Sequence, residues 1–172
     1  MSSDLRDLYQ EMILDHGKRP RNFRALAKAN RRAEGYNPLC GDRETVYLEV
    51  EGDRVVDAAF EGAGCAISTA SASMMTEALK GKSREEAETL FEKFRDLITG
   101  QTKAAAGGPP LGKLEVFSGV REYPVRIKCA TLPWHTMRSA LHGDARVIST
   151  EDGAEASPKD EPRPTTPPAK VC

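Results

Sequence analysis

The sequence predicts an α+β domain: a three-stranded antiparallel sheet packed against helices, with a disordered C-terminal tail. Three observations carry that prediction. Apolar residues alternate over Glu44–Val50 and return over Arg54–Gly62, the period of strands with one buried face. From Ile67 the period changes to that of a helix. From Asp144 onward the composition turns polar and rich in proline.

Taken in order, Leu5, Leu8, Met12 and Ile13 have helical spacing, predicting a first helix over Leu5–Asp15 that stops where His16, Gly17 and Pro20 break the pattern. Val46, Leu48 and Val50 define the inner side of the first clear strand. Gly52-Asp53 turns the chain into its partner. Two short strands need a third, which the stretch Ala25–Tyr36 can supply. Ile67, Ser71, Met74, Met75 and Ala78 share a helix face, and Gly81 is a stop at C′. Ser83 and Glu86 form a capping box ahead of the stripe Ala87, Leu90, Phe91, Phe94, Leu97 and Ile98. Gln101–Gly112 reads as a loop or insertion and Lys113–Gly119 as a short helix. A last helix running to Leu141 starts near Cys129 or Leu132, with Pro133 in its first turn.

Residues 1–143 form the domain on this reading, and residues 144–172, with five of the eleven prolines, form the tail. The 172 residues suit one domain with an appendage. With 25 basic and 26 acidic residues there is no basic excess of the kind nucleic-acid binders carry. No apolar run is long enough to span a membrane. The opening MSSDLRDLYQ has acids and no apolar core, so a secretory signal is not expected and a cytoplasmic location is.

That location gives the four cysteines, Cys40, Cys65, Cys129 and Cys172, a reducing environment in which metal or redox use gains weight over disulfides. Cys40 lies in NPLCGDR before the first clear strand, Cys65 in GAGCAIS between strand and helix, and Cys129 in RIKCATL at or just before the last helix. A thiol near a helix N-terminus is favoured as thiolate, the form that binds metal and attacks electrophiles. Three thiolates need a fourth donor to close a tetrahedron, and Asp42, beyond the flexible Gly41, is the first candidate; His16, His135 and His142 are its rivals. Gly41, Gly62 and Gly64 leave side chains out where a second molecule would approach sulfur. Cys172, at the end of the tail, is given no part in the site.

NPLCGD, FEGAGCAIS followed by TASASMMTEALKGK, and YPVRIKCATLPW resemble the SufU branch of the iron–sulfur cluster assembly scaffold family, the IscU-like fold. The resemblance runs from about Leu5 to His142. Lys128 stands where the IscU branch has a histidine, and the Gly/Pro-rich stretch from Thr99 to Leu114 resembles the insertion of the SufU branch. The resemblance implies one zinc held by Cys40, Asp42, Cys65 and Cys129. It implies a zinc-dependent sulfurtransferase in which Cys40 accepts persulfide sulfur from a SufS-type cysteine desulfurase, with a desulfurase histidine taking a zinc position, and passes the sulfur on to cluster assembly. Arg126, in the matching RIKC motif, falls at the partner interface. The alternative is a scaffold on which iron or a cluster is transiently held by the same four ligands.

Overall fold

In the computed structural model the described residues are 3–101, 108–143 and 147–149. The elements are α1 (Ser3–Lys18), β1 (Arg31–Asn37), β2 (Asp42–Glu51), β3 (Arg54–Ala63), α2 (Ala66–Leu79), α3 (Arg84–Thr99), a 3₁₀ segment (Gly112–Glu122), α4 (Pro124–Leu141) and β4 (Val147–Ser149). β1, β2 and β3 form an antiparallel meander in that spatial order, with β4 added in parallel to the free edge of β1. β4 lies inside the segment that composition assigns to the tail. Val147 and Ile148 are a β-branched pair in an otherwise polar stretch, which is why that segment can yield a strand. Cys172 and the rest of the tail lie outside the described residues.

On β2, Asp42, Glu44, Val46, Leu48 and Val50 all point inward, as the alternation requires. α2 and α4 cover that face. α2 is buried nearly all round, and its Ala and Ser residues let α1, α4 and β3 approach closely. α3 supplies Leu90, Phe91, Phe94 and Ile98 to the core, where Phe94 stacks on Trp134 of α4 at 4.7 Å. Its start is the expected capping box: Ser83 Oγ accepts from Glu86 N while Glu86 Oε1 accepts from Ser83 N.

Two helix boundaries differ from expectation. α1 continues through His16 and Gly17 because tertiary packing overrides local propensity: His16 is buried with Nδ1 2.7 Å from Ser73 Oγ, and Gly17 abuts Ala66, where an added Cβ would sit 3.1 Å from the alanine's own. The inward side of α1 accordingly includes Tyr9, Met12 and Ile13, while Leu8 is exposed. α4 starts earlier than expected, with Pro124 in its first turn, where a missing N–H costs nothing. Pro133 falls in the helix interior instead, among fully buried neighbours.

Candidate metal centre

Asn37, the last residue of β1, pairs with Asp42, the first of β2, so Pro38–Gly41 is a tight loop at the end of the sheet. Gly41 N donates to Asn37 O at 2.7 Å and Leu39 N donates to Asn37 Oδ1 at 3.2 Å. Gly41 turns the chain at φ 73°, a conformation glycine adopts without strain. The loop holds Leu39 out in solvent and Cys40 half-buried beside the cluster.

The strand that begins at Asp42 turns this carboxylate completely inward. Its Oδ1 accepts from the backbone N–H of Cys65 at 2.9 Å, and Cys65 Sγ is 3.7 Å from its Oδ2. Cys65 is the N-cap of α2, as the sequence suggests. Cys129 is not near a helix start: α4 begins five residues earlier, so Cys129 sits in the second turn, fully buried. Its sulfur is reached from two sides, by Cys40 Sγ at 3.6 Å and by Asn37 Nδ2 at 3.5 Å.

One donor atom from each of Cys40, Asp42 and Cys129 lies within 4.8 Å of the others, a spacing a single metal ion can bridge. Cys65 adjoins this set through Asp42 and through a hydrogen bond with Cys129. That bond, with the Cys129 thiol as donor, brings the Cys65 value down from 9.0 to about 6, against the opposing effect of burial. The same contact, together with burial, pushes Cys129 up. Arg126 is exposed at the mouth, and the Cys65 and Cys129 sulfurs beside it raise its affinity for its proton.

The three histidines are engaged elsewhere. His16 bonds Ser73, His135 packs edge-on against Phe91 with ring centroids 5.1 Å apart, and His142 pairs with Glu88. The glycines near Cys65 also have a different reason from the expected one. A Cβ on Gly64 would lie 2.5 Å from Ser68 Oγ and 2.9 Å from Asp42 Oδ1, and one on Gly62 would lie 2.1 Å from Arg43 O. They admit the protein's own Asp42 and β2 backbone, not a second molecule.

Three contributors go unnamed in the sequence reading: Asn37, Ser68 and Glu44. Ser68 Oγ is 3.8 Å from Cys65 Sγ and 3.1 Å from Cys65 O. Glu44 is buried one inward position beyond Asp42; burial first, then the charges of Asp42 and Cys65, hold its carboxyl well above the usual range. Strand parity alone places Glu44 inside, since it shares phase with Val46.

A cluster of soft sulfur donors and one carboxylate, at the end of a small sheet covered by helices, could hold a metal ion. The match to a family follows the same lines: residues 8–130 match the NifU-like N terminal domain. The zinc-dependent sulfurtransferase SufU of Bacillus subtilis is 42% identical over 140 residues, spanning 81% of this chain and 93% of that protein. The iron–sulfur cluster assembly scaffold protein IscU of Streptococcus pyogenes is 41% identical over 150 residues, spanning 87% and 92%. A crystal structure described as a putative iron–sulfur cluster assembly scaffold protein for the SUF system, from Fervidobacterium islandicum, superimposes with a TM-score of 0.69 at 37% identity, covering 76% of this chain and 94% of that one. The chain belongs to the NifU-like N-terminal domain family, with a SufU/IscU-like fold, and is an iron–sulfur cluster assembly protein. No helix among the described residues is long and apolar enough to cross a membrane.

Proposed function

We propose that this protein is a zinc-dependent sulfurtransferase that accepts persulfide sulfur on Cys40 from a SufS-type cysteine desulfurase in the cytoplasm and passes it to iron–sulfur cluster assembly. The observation that carries this reading is the contrast among the thiols: Cys40 is half-exposed on a loop, while Cys65 is buried at the N-cap of α2 and Cys129 within α4, around the same point. The donor set fits zinc, and Cys40, Asp42, Cys65 and Cys129 are the residues that would hold it. Zinc, when bound, keeps thiols deprotonated at neutral pH while damping their nucleophilicity.

The transfer itself asks little of the rest of the chain. The Cys40 thiolate attacks the terminal sulfur of the donor persulfide. A new sulfur–sulfur bond forms at Cys40, the donor's own sulfur–sulfur bond breaks, and the donor cysteine leaves as a thiolate with the electron pair. The Pro38–Gly41 loop supplies the movement, and Asn37 anchors its base. Arg126 places a cation beside the sulfurs, where it attracts the anionic persulfide. It also borders a groove of about 600 Å³ between α1, the 3₁₀ segment and the start of α4, lined by Tyr9, Ile13, Leu14, Val120 and Tyr123. Tyr123 and Leu14 are exposed apolar residues there, so this side supports the partner interface.

A second reading, a scaffold that holds iron or a cluster as cargo on the same ligands, is favoured by the scaffold named in the Streptococcus relative. Metal analysis of freshly purified protein, followed by a desulfurase assay, separates the two. About one zinc per chain, faster sulfide release from cysteine with the protein present, and no stimulation by Cys40→Ala support the transferase. Brown protein carrying iron and acid-labile sulfide supports the scaffold.

A further inference from the structure

The groove that Arg126 borders is basic at its rim and polar at one buried point. Arg6, Arg121 and Arg126 stand exposed along it, against the acid Glu122. Arg6 and Arg121 take part in no ion pair among the described residues. Ser118, 8% exposed, lines the same groove, and its Oγ has no hydrogen-bond partner among the described residues. Buried hydroxyls in proteins are nearly always bonded, so Ser118 marks a place for a polar partner. Three cations and an unsatisfied hydroxyl suit an acidic, extended stretch of polypeptide.

The same chain carries such a stretch close by. β4 runs parallel to β1 and ends at Ser149, paired with Tyr36. β1 in turn runs toward the start of α4: a Cβ on Gly35 would meet Thr136 and Leu132, whereas Asn37, two residues on, reaches Cys129 at 3.5 Å. Arg126 lies three residues nearer the helix start, about 4.5 Å further along α4. A strand advances about 3.3 Å per residue, so only about three residues separate Ser149 from the level of Arg126. The sequence there reads Thr150, Glu151, Asp152. Glu151–Glu161 carries five acids, and Lys159 is its one base. Fully extended, it spans about 36 Å, against about 12 Å for the stretch of α1 from Arg6 to Leu14 that lines the groove.

We propose that Glu151–Glu161 docks in this groove, with its carboxylates on Arg6, Arg121 and Arg126 and a polar group on Ser118 Oγ. A segment too polar to build a core of its own can be held this way, because the tether keeps it at high local concentration beside a surface already formed. Each ion pair is exposed and weak alone, so the contact loosens with salt and yields to a partner that offers more surface. Docked, the segment covers the face assigned above to the desulfurase, which must displace it.

The docking stands on the groove; its effect on a desulfurase rests on the transferase reading above, and the test keeps the two apart. A fluorescein-labelled peptide of residues 150–162 is titrated by anisotropy, at low salt, against the full chain in three forms. These are the wild type, a tail variant (Glu151→Gln, Asp152→Asn, Glu155→Gln, Asp160→Asn and Glu161→Gln), and the tail variant with Arg6→Glu and Arg121→Glu added. Thermal melting checks that each is folded. The tail variant is expected to bind the peptide about tenfold tighter than the wild type, whose own segment competes at millimolar effective concentration. Adding the two arginine changes is expected to remove binding. No binding to the tail variant overturns the proposal, and so does equal binding by it and the wild type. Binding that survives the arginine changes also overturns it, because the peptide then sits elsewhere. Sedimentation covers another occupant: a wild-type dimer that Arg6→Glu and Arg121→Glu dissociate would assign the groove to a second copy and overturn the docking. Stimulation of a SufS-type desulfurase is then compared at limiting protein, where the tail variant is expected to exceed the wild type. The expected peptide result with no stimulation by either form upholds the docking and sinks the transferase reading alone.

Discussion

The inner face of β2 changes character halfway along. Asp42 and Glu44 occupy its first two inward positions; Val46, Leu48 and Val50 occupy the next three, and all five are almost fully buried. The same pleat thus serves two environments. The aliphatic half packs against α4 and joins the apolar core, and each buried side chain there contributes to stability directly. The acidic half meets the ends of elements: the β1–β2 loop, the start of α2 and the second turn of α4. Its carboxylates are offset only in part, by the Cys65 N–H and by Ser68. The difference teaches that one end of the strand is built for stability and the other is held in place by it, storing acid and thiol groups that favour a cation.

Substitutions on either half should therefore have separable effects. Leu48→Ala, in the aliphatic half, is expected to cost about 2–5 kcal/mol in denaturant unfolding of the chelated protein while zinc stoichiometry is retained. Asp42→Ala should do the reverse, weakening zinc by more than the roughly 10–100-fold that loss of an outer-shell partner costs, as read by chelator competition. If Leu48→Ala abolishes zinc binding in protein that is still folded, the two halves are not independent.

Gly64→Ala sharpens the boundary between them. The added Cβ collides with Asp42 and Ser68, so overpacking of about 1–3 kcal/mol is expected together with weaker zinc binding, although every donor remains. Unchanged zinc affinity in that variant would show that Asp42 does not need its present position.

The smallest effect is a pH dependence. Cys65 in the folded protein has its value lowered from 9.0 to about 6, so its contribution to the stability of the metal-free protein is fully present above pH about 9, shrinks as pH falls, and is gone below about 6. The urea midpoint of chelated protein should rise between pH 6 and 8.5, and Cys65→Ser should flatten that rise. A pH dependence left unchanged by Cys65→Ser contradicts the assignment of Cys65 as the thiolate of the pair.

Much of this was legible in the residues. Period-two alternation placed β2 and β3, the Ser83–Glu86 box placed α3, and NPLCGDR placed Cys40 and Asp42 side by side at a strand end. Parity with Val46 also puts Glu44 inside. Convergence was not legible. Cys129 reaches Cys40 only because α4 packs across β1 and β2; Pro124 marks the helix start locally, but the packing joins segments far apart in sequence. Nor could composition foresee β4, whose three residues gain their order from the open edge of β1. The role of Gly64 is hidden for a similar reason: the Asp42 carboxylate that needs its missing side chain comes from β2, far from it in sequence.

The central claim is that Cys40 is the thiol that leaves the cluster to take sulfur while Cys65 and Cys129 stay. Mass-spectrometric mapping of persulfide on the full, zinc-loaded chain, after incubation with a SufS-type desulfurase and cysteine, tests this most directly. The account predicts added sulfur on the peptide containing Cys40, with zinc retained. Added sulfur on Cys65 or Cys129, with Cys40 unmodified, would contradict it.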